Sequence, residues 1–284
     1  MSYEVREIRY DPDIGIEAYR FQGIMQKFPN HFHDYYVLGF IEQGKRHLIC
    51  NNESYVINSG DVVIFNPHDP HACEQIDGKT LDYRCLNVKP DVMRKYALEI
   101  TGAEKLPRFA PTVLYQSELA GILRDLHRMI ANEQPDFQKE ELLLLLIEQL
   151  LVDYSDAEAF DSFREPRPEI RTVCDYLEAH YPENIKLDRL SELTGLSKYH
   201  LLRSFTRQTG ISPYSYLSTI RINNAKKLLE SGISPGEAAF RCGFSDQSHF
   251  TNFFKKLIGL TPKQYSRGFA SGQEAGRLAH HDNR

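Results

Sequence analysis

The sequence predicts a two-domain α+β protein. An amino-terminal β barrel followed by a helical hairpin precedes an all-α carboxyl-terminal domain that carries two helix-turn-helix motifs. Three observations support this prediction: strand-length runs separated by turn residues before residue 90, apolar spacing of three and four residues after it, and a helical pattern that occurs twice near the carboxyl terminus. With 284 residues, 41% of them apolar, the chain is long enough for two domains with separate cores.

The β prediction rests on residues 29–90. Turn signals such as EQGKR (42–46) and NSGD (58–61) separate runs such as YVLGFI (36–41) and LDYRCLNV (81–88). β-branched and aromatic residues dominate these runs, which is typical of antiparallel strands closed into a barrel or sandwich.

Two helices are predicted after the barrel, over residues 117–133 and 138–155. The second helix is apolar nearly all round between Leu142 and Leu151. If one face covers the barrel, leucines on the other face are exposed, and exposed apolar patches commonly mark interfaces. We therefore expect a homodimer. The alternative, that the barrel and the first helix bury the whole apolar surface, stays open.

Charge divides unevenly along the chain. Residues 1–165 contain 17 Lys and Arg against 28 Asp and Glu, whereas residues 166–284 contain 17 against 11, so the two parts carry net charges of −11 and +6. A basic part joined to an acidic part is typical of a protein in which one domain binds a polyanion. The charged, proline-containing stretch SDAEAFDSFREPRPEI (155–170) is the predicted linker.

The helical domain contains a helix-turn-helix pattern twice. In the first unit, residues 187–210, Gly195 makes the turn and Ser197 caps the second helix. In the second unit, residues 234–259, Asp246 is the corresponding cap. From these caps onward the two units match with an offset of 49 residues, which indicates an internal duplication.

A helix predicted over residues 212–231 joins the two units. At 1.5 Å per residue it spans about 28 Å, close to the ~34 Å between successive major grooves on one face of B-DNA. We therefore expect the second helix of each unit to enter one of two adjacent grooves of double-stranded DNA.

We expect Arg203 to hydrogen-bond to guanine, and Asn252 or Gln247 to hydrogen-bond to adenine. The alternative, a merely solvated helix face, stays open for any single residue. The predicted DNA-binding residues are Lys198, Tyr199, Leu202, Arg203, Thr206, Arg207, Gln247, Ser248, Thr251, Asn252, Lys255 and Lys256, of which Lys198, Arg207, Lys255 and Lys256 are assigned to phosphates.

Residues 170–267 resemble the AraC-type (AraC/XylS) transcription regulators through LSKYHLLRSFTRQTGISPYSYLSTIRINNAKKLL and AAFRCGFSDQSHFTNFFKKLIGLTPKQYSR. The first half is similar to that family's cupin-like sensor domain through HFHDYYVLGFIEQG and GDVVIFNPHDPHACE. The resemblance implies a ligand-responsive transcription regulator that binds DNA, contacts RNA polymerase and commonly acts as a dimer. We predict a cupin-like ligand-sensing and dimerisation domain (1–156), a linker (157–168), a double helix-turn-helix domain (169–268) and a flexible tail (269–284).

Three histidines raise a second possibility. His31 and His33 lie two residues apart in a predicted strand, so their side chains share one face, and His71 is a candidate third member. Imidazoles bind zinc, iron, nickel or copper, which allows the alternative of a metal-dependent cupin enzyme fused to a DNA-binding domain. Such enzymes also use a glutamate four or five residues after the second histidine, where this chain has Val37 and Leu38. We therefore predict a small-molecule sensor with no catalytic residue, metal or cofactor. Its candidate ligand-binding residues are His31, His33, Tyr35, Arg46 and His71.

The remaining expectations concern location and a third class of function. Five cysteines without a close-set pair argue against a disulfide framework. A charged amino terminus and the lack of any run near ~20 apolar residues predict a cytoplasmic protein with no membrane partner. An architectural DNA binder without an effector also stays open, and it predicts no thermal shift with any metabolite.

Overall fold

The computed structural model describes residues 4–132, 137–155 and 167–269. The strands are β1 (Val5–Asp11), β2 (Ile16–Ile24), β3 (Phe28–His31), β4 (Tyr36–Gln43), β5 (Lys45–Cys50), β6 (Glu53–Asn58), β7 (Val62–Phe65), β8 (His71–Gln75), β9 (Leu81–Val88) and β10 (Val113–Leu114). The helices are α1 (Pro90–Thr101), α2 (Leu119–Ala131), α3 (Gln138–Tyr154), α4 (Pro168–Ala179), α5 (Leu187–Thr194), α6 (Lys198–Thr209), α7 (Pro213–Glu230), α8 (Pro235–Arg241) and α9 (Gln247–Ile258). Residues 262–269 are also helical.

Two antiparallel sheets form the β domain, as the strand spacing predicts. One has the strand order β1-β2-β9-β4-β7-β10 and the other β3-β8-β5-β6. Strand β4 is buried at six consecutive positions because both of its faces are covered. Leu38 and Phe40 pack with the helices on the outer face, whereas Val37 and Ile41 point into the interior of the domain.

The predicted helical hairpin is present: α2 packs on the outer face of the larger sheet, and α3 packs on α2 and α1. Leu143, Leu146 and Leu150 of α3 are fully buried there. Leu145 and Val152 remain 49% and 75% exposed. The β domain therefore buries only part of the apolar surface of α3, and the dimer stays a prediction.

Both helix-turn-helix units are present, and their local signals act as the sequence predicts. Gly195 adopts a left-handed conformation in the first turn, with φ of 67°. The Ser197 hydroxyl accepts a hydrogen bond from the backbone N–H of His200, and the Asp246 carboxylate accepts one from that of His249. The 18-residue helix α7 joins the two units.

The two domains share apolar contacts. One cluster of buried side chains extends from Phe21 and Leu48 of the β domain to Phe254 and Ile258 of α9. Phe32 of the β domain packs into the separate core of the first helix-turn-helix unit. Both helix-turn-helix units are thus held against the β domain.

The domain limits need one correction. The predicted flexible tail begins at Phe269, but this residue is helical and buried, and its ring stacks on Tyr10 with centroids 4.9 Å apart. The rest of that predicted tail and most of the predicted linker lie outside the described residues, so the remaining domain limits stay predictions. Within the described ranges, no helix combines the length and the apolar character needed to cross a bilayer.

Candidate ligand cavity and nucleic-acid interface

The β domain encloses a cavity of about 100 Å³ between its two sheets. Aromatic and aliphatic side chains form most of the wall, and the polar groups are few, as is usual for a small-molecule site. Two lining residues, Leu257 and Ile258, belong to α9 of the helical domain. The second helix-turn-helix unit therefore supplies part of the cavity wall. The lining residues from the β domain are Tyr19, Phe21, Phe28, His31, His33, Tyr35, Val37, Ile41, Leu48, Ile57, Val63, Phe65, His71, Cys73, Leu81, Tyr83, Cys85 and Asn87.

Three of the five predicted ligand-binding residues are histidines that meet at this cavity. His31 and His71 are cross-strand partners on β3 and β8, and their ring centroids lie 4.6 Å apart. The ring of His33 lies 4.8 Å from that of His31 and 5.0 Å from that of His71. The fourth predicted residue, Tyr35, also lines the cavity and stacks on His33 at 4.7 Å.

Burial keeps these histidines uncharged. Removal from water disfavours the imidazolium form and lowers the pKa of His31 to about 3 and that of His71 to about 4. Burial, with the neighbouring histidines, also holds the pKa of His33 well below its ordinary value. At neutral pH the cavity therefore presents neutral imidazoles, which accept or donate hydrogen bonds.

The prediction that Arg46 binds a ligand is wrong. Its side chain enters the β domain on the same side of β5 as Leu48, but it is fully buried and does not line the cavity. The guanidinium donates to the carbonyl oxygens of Ile24, Lys45 and Lys79 at 2.8, 2.7 and 3.0 Å. Arg46 therefore satisfies backbone groups at the strand ends.

A buried ion pair connects the cavity region to α7. Nζ of Lys226 lies 3.4 Å from a carboxylate oxygen of Glu17 on β2, and both side chains are almost fully buried. The Lys226 ammonium also lies 3.8 Å from the ring centroid of Tyr35. The Glu17 carboxylate accepts hydrogen bonds from the hydroxyls of Tyr19 and Tyr265. Sequence reasoning missed this pair, although a lysine on the apolar stripe of α7 was an available signal.

The predicted DNA-binding residues lie on α6 and α9. On α6, Tyr199 is 63% and Leu202 39% exposed, and Nη1 of Arg203 donates to the Tyr199 hydroxyl at 3.2 Å. Lys198, Thr206 and Arg207 of α6 and Gln247, Ser248, Asn252, Lys255 and Lys256 of α9 are also exposed. Thr251 is half-buried. The structure thus presents one open polar face on each helix.

The β domain contacts the carboxyl-terminal end of both helices at equivalent positions. Nδ2 of Asn30 donates to the carbonyl of Gly210, which ends α6, at 2.8 Å. Arg6 donates to the carbonyl of Gly259, which ends α9. Gly210 and Gly259 are related by the offset of 49 residues. Gln26 adds hydrogen bonds to the last turn of α9. The offset between the two units relates these glycines, but no feature of the sequence predicted that Asn30 and Arg6 contact them or that Gln26 contacts the last turn of α9.

Comparisons with known proteins agree with this architecture. The family described as AraC-like ligand binding domain matches residues 13–147, and a helix-turn-helix domain family matches residues 190–268. The uncharacterized HTH-type transcriptional regulator YbfI of Bacillus subtilis is 59% identical over 249 residues, which cover 88% of this chain and 90% of YbfI. The HTH-type transcriptional activator RhaS of Escherichia coli is 27% identical over 253 residues, 85% of this chain and 88% of RhaS.

Solved structures of ToxT from Vibrio cholerae share the fold. An apo ToxT variant gives a TM-score of 0.56 at 15% identity, over 92% of this chain and 99% of ToxT. ToxT bound to an unsaturated fatty acid gives 0.54 at 17% identity, over 88% of this chain and 94% of ToxT. With a ligand-binding domain, a helix-turn-helix DNA-binding domain and a relative this similar over most of its length, the chain belongs to the AraC family of transcriptional regulators.

Proposed function

We propose that α6 and α9 read adjacent major grooves of DNA and that a small molecule in the β-domain cavity controls this reading. The observation that carries the proposal is the duplicated unit. Two recognition helices with equivalent caps project open polar faces and are joined by an 18-residue helix. At 1.5 Å per residue, α7 spans about 27 Å, which suits a separation of one turn of B-DNA.

Arg203 and Asn252 are the proposed base-reading residues. The Arg203 guanidinium suits the O6 and N7 acceptors of guanine, and the Asn252 amide suits adenine. Arg207, Lys255 and Lys256 are proposed to contact phosphates, which adds affinity without sequence information.

The effector is proposed to occupy the cavity, with His31, His33, Tyr35 and His71 as its polar contacts. Strand β3 carries His31 beside Asn30, and Asn30 holds the end of α6. The cavity wall also includes Leu257 and Ile258, at the end of α9. A ligand that favours one arrangement of these contacts would therefore bias the relative positions of both recognition helices.

The side chains that line the cavity indicate the chemical class of the effector. An apolar body fits the aromatic and aliphatic lining, and a polar head fits the histidine end of the cavity. ToxT structures hold an unsaturated fatty acid and a naphthalenyl butenoic acid, both of which combine an apolar body with a carboxylate. We propose an effector of this amphipathic kind, within the small volume of this cavity.

Assembly is a further part of the proposal. The exposed apolar side chains of Leu145 and Val152 on α3 suit a homodimer contact. Val152→Lys should shift the protein from dimer to monomer in sedimentation velocity, whereas Asp153→Lys, at the adjacent exposed position, should leave the dimer intact. A monomeric parent protein would contradict the proposed homodimer.

Since RhaS is named an activator, we also propose contact with RNA polymerase. In vitro transcription with purified RNA polymerase tests this contact.

The experiment that tests the DNA proposal selects binding sites from random DNA and then compares variants. Arg203→Ala should lose about 10- to 100-fold discrimination at one base position. Arg207→Ala should weaken binding to all DNA sites equally. It should also reduce the slope of log affinity against log salt concentration by about one. Arg94→Ala is the matched control: this half-buried arginine lies on α1 of the β domain, pairs with Asp91, and should change neither. Unchanged base preference in Arg203→Ala removes that residue from base reading.

The other two function classes have less support. The relatives described above are named transcriptional regulators, and no comparison supports the metal-dependent enzyme. An architectural binder would not need a largely apolar cavity that is lined in part by its recognition helix α9. A thermal-shift screen with small carboxylic acids and related metabolites separates the sensor from the architectural binder, because only the sensor is stabilised by one of them.

A further inference from the structure

Two of the three cavity histidines, His31 and His71, are oriented as metal ligands usually are. Nδ1 of His31 lies 2.6 Å from the carbonyl oxygen of Pro29, and Nδ1 of His71 lies 2.9 Å from that of Asp69. A carbonyl oxygen can only accept a hydrogen bond, so each Nδ1 carries the proton. In this tautomer Nε2 of His31 and of His71 is the unprotonated ring nitrogen, as a metal ligand requires.

The third histidine completes the set. Nδ1 of His33 is buried and has no hydrogen-bond partner among the residues that the structure describes. One ligand atom from each of the three side chains can be chosen so that all lie within 4.8 Å of one another. A buried polar atom without a partner is costly in a folded protein, and a bound ion would remove this cost.

We propose that His31, His33 and His71 bind one divalent transition-metal ion of the zinc type, with the fourth coordination position facing the cavity. Zn–N bonds of about 2.0–2.1 Å place tetrahedral nitrogens about 3.3 Å apart. The nitrogens therefore need to approach one another by at most about 1.5 Å when the ion binds. Three neutral imidazoles and one open position form a recurring zinc arrangement.

The proposed ion would also define the effector more closely. Three neutral ligands leave the full charge of the metal uncompensated, so the fourth position favours an anionic oxygen, such as a carboxylate. The apolar part of the same molecule would then lie along the aliphatic wall. This refinement rests on the proposed effector site, whereas binding of the metal itself does not.

The three histidines could also lie together only because their rings pack against neighbouring aromatic side chains. His71 stacks on Phe65 with centroids 4.0 Å apart, and His33 stacks on Tyr35. Neutral histidines that only pack in this way would bind no ion, so direct metal titration separates the two explanations.

The experiment titrates chelator-treated, full-length protein with Co²⁺ and with Zn²⁺. We expect one equivalent of Zn²⁺ by calorimetry and the visible absorption of a four-coordinate Co²⁺ site. His33→Ala should weaken binding by more than about 100-fold, since loss of a ligand costs more than the 10- to 100-fold typical of its supporting partners. His280→Ala with His281→Ala removes the adjacent histidines near the carboxyl terminus and should leave the stoichiometry unchanged.

Two further measurements make the result decisive. Circular dichroism and DNA affinity confirm that His33→Ala is folded, and His71→Gln, which keeps a polar side chain, should also lose the ion. Acetate added to the Co²⁺ form should change its spectrum if the fourth position is open. The proposal is overturned if the parent protein binds no ion, if His33→Ala binds it equally well, or if acetate has no effect. DNA-site selection is independent of all three results, so failure here leaves the regulator function intact.

Discussion

The ion pair between Lys226 and Glu17 allows a quantitative test of how the domains are coupled. Its atoms lie 3.4 Å apart, and the side chains are 3% and 2% exposed. One partner belongs to α7 of the helical domain and the other to β2 of the β domain. Removing one partner of a buried pair typically costs 3–5 kcal/mol, because the other charge stays buried without compensation. Two tyrosine hydroxyls still donate to Glu17, so we expect the lower end of this range for Lys226→Met, about 3 kcal/mol.

The double variant Lys226→Met with Glu17→Gln separates the charge from the packing. It removes both charges and keeps similar volumes, and such replacements of a buried pair are often close to neutral. We expect it to lose about 1 kcal/mol or less, so the two changes should be strongly non-additive. Lys227→Met is the matched control: its side chain is 61% exposed and pairs with Asp34 at the surface, where an ion pair contributes little.

Urea unfolding at neutral pH measures these differences. The chain has no tryptophan and 16 tyrosines, so tyrosine fluorescence and far-ultraviolet circular dichroism are the two probes. In Lys226→Met, the unfolding transitions of the two domains should also separate, because the lost pair crosses their interface. If Lys226→Met costs no more than Lys227→Met, or if the double variant loses the sum of the single losses, the pair does not couple the domains.

Two other predictions concern pH and turn geometry. Burial lowers the pKa of His127 from 6.5 to about 4, so its contribution to stability is present above pH 6.5 and is lost as the pH falls towards 4. Between pH 7 and 5.5 this amounts to about 1 kcal/mol. His127→Gln should reduce the measured pH dependence of urea unfolding by that amount. Gly243→Ala should destabilise the helical domain more than Gly195→Ala. Both glycines have positive φ, but only a Cβ added at position 243 would lie 2.3 Å from the carbonyl oxygen of Pro182. Equal decreases in melting temperature would contradict this explanation.

The helix-turn-helix units were predictable because their signals are local. Ser197 and Asp246 bond to backbone groups within the same turn, and Gly210 and Gly259 end their helices in a left-handed conformation. Each signal depends on a few neighbouring residues, and the duplication supplied a second, independent copy. The hairpin after the β domain was also predictable, from its apolar periodicity.

Contacts between distant segments were not predictable in the same way. Strands β1 and β2 and helix α1 were not identified, because charged residues interrupt the first two and the third follows directly on a strand. The convergence of His31, His33 and His71 was suggested by the assumed fold, but Arg46 was misplaced because nothing local identifies the three carbonyl groups that bind it. The pairing of Lys226 with Glu17 depends on how the two domains meet.

The central claim is that the helical domain carries two DNA readers that enter adjacent grooves. Methylation interference on a selected DNA site tests it most directly, because methylation of guanine N7 blocks protein contacts in the major groove. The account predicts two patches of interference for each subunit, on the same face of the duplex and about one helical turn apart, with the patch of α6 lost in Arg203→Ala. A single patch, or two patches on opposite faces, would contradict it.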